Sequence, residues 1–134
     1  MHEALPVMRP GGSVVALGSV LGLMAAPGFP AYTASKGALV NLCKQAAIEH
    51  APEGVRVNVV APSATDTGLF VKTAARSGNP EEVKRRVAAG SPMGRLGRGQ
   101  EVVDTVLFLA SDAASYISGA VVPVDGGAAA RRVV

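Results

Sequence analysis

The sequence predicts an α/β fold built on a parallel sheet of the doubly wound kind. Three observations carry this. First, the apolar runs 13–19, 55–62 and 120–124 are each bounded by Gly or Pro and read as strands, the first buried on both faces and the second buried and rich in Val. Second, helical segments separate these runs, and a helix in each crossover makes successive strands parallel. Third, Ala, Gly and Val dominate the composition, which suits close packing of helices on a sheet.

The elements follow in order. Residues 1–10 place Ala4, Leu5 and Met8 at helical spacing, although Pro6 is tolerable only near a helix start. Gly11-Gly12 break the chain before the first strand, SVVALGS. VLGLMAAPGFP is a loop punctuated by Gly22, Pro27, Gly28 and Pro30. A helix then spans about 32–49, with Leu39, Leu42, Cys43, Ala46 and Ala47 at spacings of three and four. Pro52 and Gly54 end it. VRVNVVAP is the second strand. The polar stretch from Ser63 to about Gly99 holds one or two short helices. The clearer one has Asn79 as N-cap, Pro80 at its first position and Glu81-Glu82 in its first turn. QEVVDTVLFLASD (100–112) is a further amphipathic helix, and AVVPV is the third strand.

Bulk properties exclude several function classes. At 134 residues the chain has the size of one domain, and 49% apolar with 17% charged residues marks it as globular. The formal charge of +3 is dispersed apart from Arg85-Arg86 and Arg131-Arg132, so no nucleic-acid partner is expected. The absence of Trp also removes the stacking platforms that single strands need. Cys43, the only cysteine, permits neither an intramolecular disulfide nor a cysteine zinc cage, and reads as a buried, inert thiol. No His, Cys, Asp and Glu set has metal-ligand spacing. No apolar run reaches the ~18 residues of a membrane span, and no basic-then-apolar leader is evident. A cytoplasmic protein with no membrane partner is the expectation.

In doubly wound sheets, ligands sit beyond the carboxyl ends of the strands. Three features fall there. Ser19 ends the first strand, Tyr32 and Lys36 open the following helix, and PSATDT (62–67) leaves the second strand. Four residues of helix put Tyr32 and Lys36 about 40° apart on one face. A free tyrosine titrates near ~10, too high for a base at neutral pH. A nearby ammonium stabilises a phenolate, and a phenol so tuned can exchange a proton with an alcohol or carbonyl oxygen. By itself the pair could equally be an exposed Lys and a half-buried Tyr at a helix start. Ser19, thirteen residues before Tyr32, adds a hydroxyl that can hold the reacting oxygen.

A hydrolase reading fails. Gly18-Ser19-Val20-Leu21-Gly22 is not a Gly-x-Ser-x-Gly elbow. His50 lies at the far end of the helix that Tyr32 opens, roughly 27 Å away, and His2 is no better placed. GRLGRG (94–99) reverses the dinucleotide fingerprint and follows no strand, so it reads as a loop.

Taken together, GGSVVALGSVLGL, AYTASKGALVNL, GVRVNVVAPSATDT, GRLGRGQEVVDTVLFLASDAASYISG and VPVDGG occur in one order over nearly all of 11–127. In this the chain resembles the short-chain dehydrogenase/reductase family, particularly 3-oxoacyl-carrier-protein reductases and alcohol or diol dehydrogenases. The resemblance implies a Rossmann fold and NAD(P)-dependent hydride transfer between an alcohol and a carbonyl. Tyr32 would be the general acid/base. Lys36 would support its phenolate and bond the nicotinamide ribose. Ser19 would hold the substrate oxygen. Pro62, Ser63, Thr65 and Thr67 would line the nicotinamide side of NAD or NADP, and residues of about 66–98 would form a substrate lid. Family members usually form dimers or tetramers, partly through the helix at 32–49 and the last strand, so a homo-oligomer is implied.

Departures accompany the match. Ser63 stands where the family usually has Gly, Thr65 where it has Val or Ile, and Gly18 where it often has Ser. The family's first half, with its Gly-rich turn, ribose selector, Asn-Asn-Ala-Gly stretch and further catalytic Asn, has no counterpart. The expectation is therefore the C-terminal part of the fold: three parallel strands with crossover helices, the first half missing. Residues 1–134 would be a partial NAD(P)-binding domain, inactive in isolation, with an unpaired edge at its first strand. The alternatives are a short non-catalytic chain acting as a binding protein, or an unrelated α/β binding domain.

Overall fold

The computed structural model describes residues 5, 8, 10–76 and 78–130, apart from the side chains of Leu69 and Thr73. Most of the 1–10 segment, including His2, and the Arg131-Arg132 pair lie outside the described residues.

The main sheet has three parallel strands in the order β1 (Ser13–Leu17), β2 (Arg56–Pro62), β5 (Val121–Val124). Val15 stands opposite Asn58 and Leu17 opposite Val60; Val59 stands opposite Val121. The Val-rich second run becomes the central strand, with Val57, Val59 and Val60 wholly buried. Each such side chain contributes roughly 1.5–3 kcal/mol on burial.

The two strand faces are covered by different helices. On one, helix α1 (Pro30–His50) lays Val40, Cys43, Ala46 and Ala47 on Val57 and Val59. Burial pushes the Cys43 thiol up, which keeps it protonated and unreactive. On the other, helix α4 (Gly99–Ala110) packs Leu109, Val102 and Val106 on Val60, Val122 and Val124. Both crossovers step the same way across the sheet, yet their helices lie on opposite faces. The two connections therefore have opposite hands, and one departs from the right-handed rule. The rule governs direct crossovers. The chain from Ser63 to Arg98 is long enough to pass over the carboxyl rim of the sheet before α4 descends.

That excursion contains two helices, α2 (Gly68–Ala75) and α3 (Pro80–Ala89). Asn79 caps α3 as expected, its Oδ1 accepting the Glu82 N–H at 3.2 Å. The ends of the excursion are tied by a second, two-stranded parallel sheet of β3 (Thr65–Asp66) and β4 (Gly97–Arg98). The GRLGRG segment is thus not wholly loop. Its glycines admit a short ladder too brief to leave a period in the sequence.

Three other expectations are corrected. Ser19 does not end the first strand: β1 stops at Leu17, and Ser19 caps a 3-10 turn over Val20–Gly22. The first strand is only partly buried, although Val14 and Ala16 pack on the α1 side and Val15 on the α4 side. Among the described residues it pairs with β2 alone, and Leu17 at its end is 58% exposed. Leu42 of α1 points outward at 54% exposure, and Val40 takes the core position instead. Among the described residues no strand pairs with the free edge of β1.

Side chains pin the frame. Asn58 is fully buried in mid-β2; its Nδ2 donates to the Ile117 carbonyl at 2.8 Å and its Oδ1 accepts the Ala120 N–H at 3.0 Å. Arg56 donates to the carbonyls of Leu109 (2.7 Å) and Ser111 (3.0 Å), closing the C-terminal end of α4. Glu101, in the first turn of α4, accepts from both Arg95 Nη atoms at 3.0 and 2.7 Å and from the Arg98 N–H at 2.7 Å. The Arg95 bonds, then the Arg98 amide, hold its carboxyl down at about 2, against 4.5 for an unperturbed Glu. A carboxyl held low in the folded state contributes stability that is complete above its unfolded value and lost as pH falls through its folded one. Glu101→Gln is therefore expected to flatten the fall of Tm between pH 4.5 and about 2. Thermal melts of both proteins across that range check it; parallel curves would refute it.

Candidate active site

The first turns of α1 carry Tyr32 and Lys36 on one face, as the four-residue spacing requires. Lys36 Nζ lies 5.7 Å from the centroid of the Tyr32 ring. It also donates to the Leu17 carbonyl at 3.0 Å. That carbonyl is the last of β1, so the strand end holds the ammonium beside the phenol. One of the three ammonium protons is used in this bond. Tyr32 is 45% exposed, which leaves its hydroxyl accessible at the rim.

Ser19 lies on the turn that follows β1 and is 7% exposed. Its Oγ accepts the Leu21 N–H at 3.2 Å. The hydroxyl proton takes no part in that bond, so it remains for an acceptor at the rim. The turn rests on α1, the helix that carries the other two residues. Gly18 N–H donates to the Val60 carbonyl at 2.7 Å and ties the start of the turn to β2. A Cβ at Gly18 would stand 2.6 Å from Val59 Cγ1, which is a physical reason for Gly at this position.

Pro62 ends β2, and the chain then folds tightly. Ser63 N–H donates to the Val124 carbonyl, Thr65 Oγ1 donates to the Ser63 carbonyl at 3.0 Å, and Thr67 N–H donates to the Thr65 carbonyl at 2.8 Å. Thr67 is exposed just before α2. The Lys36 ammonium, with two protons left, and the Thr67 hydroxyl are donors of the kind a nicotinamide amide and its ribose need, while the Thr65 hydroxyl already donates to the Ser63 carbonyl. Nothing among the described residues supplies a glycine-rich turn after a strand for a pyrophosphate. The fit is thus to one end of a dinucleotide.

A cavity of about 380 Å³ opens between this segment and the end of β5. Ser63, Ala64, Ser91, Met93 and Gly126 are among its walls; Ser19, Tyr32 and Lys36 are not. Sequence reasoning missed the Leu17 carbonyl, since a backbone acceptor leaves no residue signature. Among the described residues no helix is long and apolar enough to cross a membrane.

The family model described as enoyl-(acyl carrier protein) reductase matches residues 1–129. Cis-4-hydroxycyclohexanecarboxylate dehydrogenase of Sinomonas cyclohexanicum is 42% identical over 116 residues, covering 87% of this chain and 44% of the relative. A short chain dehydrogenase family protein from Francisella tularensis superposes with a TM-score of 0.85 at 34% identity, over 92% of this chain and 53% of that one. The structure of ElxO with NADP bound superposes with a TM-score of 0.81 at 32% identity, over 90% of this chain and 47% of that one. The chain spans about half the length of the curated relatives it matches.

Proposed function

The chain belongs to the short-chain dehydrogenase/reductase family, and on that premise we propose that it is the catalytic half of an NAD(P)-dependent oxidoreductase acting on a small alcohol or carbonyl compound. The observation that carries this is the Lys36 ammonium held by the Leu17 carbonyl beside the ring of Tyr32. Relatives and structural neighbours named as dehydrogenases, one with NADP bound, support the substrate and cofactor classes.

In this reading each residue has one task. Tyr32 gives its phenolic proton to a carbonyl oxygen during reduction, or takes the proton of an alcohol during oxidation. Lys36 stabilises the phenolate left behind and bonds the cofactor ribose. The Ser19 hydroxyl donates to the same substrate oxygen and fixes its direction. Pro62, Ser63, Thr65 and Thr67 line the nicotinamide, and α2 and α3 cover the substrate as a lid over about 66–98. NAD or NADP, when bound, supplies or accepts the hydride.

Residues 1–134 alone form a partial binding domain that lacks the pyrophosphate site. In isolation they carry little or no turnover, and the exposed Leu17, Leu42 and Ile48 favour association, in line with a homo-oligomeric parent. The test is a fluorescence titration of the purified 134-residue chain with NADH and NADPH. No tight, saturable binding is expected. Tight binding to a monomer would show that the chain is sufficient by itself.

A further inference from the structure

We infer that Gly22 is a positioning residue for this site: its missing side chain lets the turn bearing Ser19 seat against the backbone of α1 at Lys36. The inference rests on the oxidoreductase reading above and adds a residue to it. Gly22 closes the 3-10 turn over Val20–Gly22, and its backbone is not in the left-handed region. Conformation therefore does not require a glycine there. Space does. A Cβ at Gly22 would stand 2.8 Å from the Lys36 carbonyl oxygen, 3.0 Å from its carbon and 3.3 Å from Val40 Cγ2. The first two atoms belong to a helix backbone locked in its own ladder, which cannot move aside as a side-chain tip can. The turn would have to lift instead.

Ser19 would lift with it. Gly22 N–H donates to the Ser19 carbonyl at 2.9 Å, and Leu21 N–H donates to Ser19 Oγ at 3.2 Å. The other end is fixed, because Gly18 is bonded to the Val60 carbonyl at 2.7 Å. Lifting the turn therefore swings the serine hydroxyl away from the helix face that carries Tyr32 and Lys36. Gly37, the residue after Lys36, provides the contrast. A Cβ there meets the Gly22 carbonyl oxygen at 3.9 Å, an ordinary contact.

The experiment compares Gly22→Ala, Gly37→Ala and Tyr32→Phe in the native-length protein, by kinetics and crystal structure. Gly22→Ala is expected to lower kcat about 10- to 100-fold, since a misplacement of about 1 Å costs that order of rate. Cofactor Kd should stay within about twofold, and Ser19 should be displaced from Tyr32 in the crystal. Gly37→Ala should change neither kcat nor the position of Ser19. A Gly22→Ala protein with unchanged kcat, or one in which Ser19 keeps its place, overturns the inference. If Gly22→Ala does not fold, Val40→Ile adds a methyl beneath the same turn, with the same displacement expected and its absence equally decisive. Turnover that survives Tyr32→Phe would refute the oxidoreductase reading. The displacement of Ser19 in the crystal would still decide the role of Gly22.

Discussion

Tyr32→Phe is expected to reduce kcat by about two to four orders of magnitude while leaving cofactor Kd unchanged. The magnitude is that of a positioned general acid or base. The substitution removes one hydroxyl and nothing else of consequence. The ring stays, and with it the contact to Lys36, whose ammonium is held independently by the Leu17 carbonyl. Tyr32 is exposed at the rim, so no packed core is disturbed and folding should be unaffected. The measurement is steady-state turnover with an alcohol or carbonyl substrate in the native-length protein, beside a fluorescence titration of cofactor. A kcat within a few-fold of wild type would remove Tyr32 from the proton path. A protein whose cellular role survives the change while it shows no turnover would favour the binding-protein reading instead.

Asn58→Leu is expected to destabilise the fold by about 2–4 kcal/mol. Leucine matches asparagine in heavy-atom count and branching, with bulkier methyl groups, so the change leaves no void. Two backbone groups lose their partners: the Ile117 carbonyl and the Ala120 N–H, which flank the entry to β5. Each unsatisfied group costs roughly 1–3 kcal/mol when water cannot replace the partner. The apolar gain from leucine offsets part of this, which sets the net figure below the sum. Because β5 is held to the sheet through the same segment, the loss should appear as a lower midpoint in urea with little change in slope. A midpoint equal to wild type would mean that water reaches both groups.

The sheet, its parallel sense and the helices were legible because each rests on a local pattern. Valine-rich runs bounded by Gly and Pro mark the strands, and Asn79-Pro80 marks the start of α3. The catalytic candidates were legible for a similar reason. A spacing of four on a helix is a geometric statement, and Tyr32 and Lys36 share a face as that spacing demands. Where the reading went astray, the deciding partner was distant. Leu42 fits the helical stripe by spacing, but the sheet meets α1 on the side of Val40. Ser19 continues an apolar run, but the ladder ends two residues earlier, where the chain turns onto α1. The β3–β4 pair joins residues more than thirty apart, which no local window contains.

By itself, the sequence determined the class of fold, the order of its main-sheet strands and crossover helices, and that Tyr32 and Lys36 share one helix face. These follow from periodicity, capping and spacing, all properties of neighbouring residues. Only the tertiary structure decided that β2 is the central strand and that the two crossovers differ in hand. It alone decided that a backbone carbonyl holds Lys36 and that Gly22 sets the height of the Ser19 turn. Those are contacts between segments brought together by burial. The atoms that matter in them are main-chain atoms or absent side chains, which residue identity does not announce.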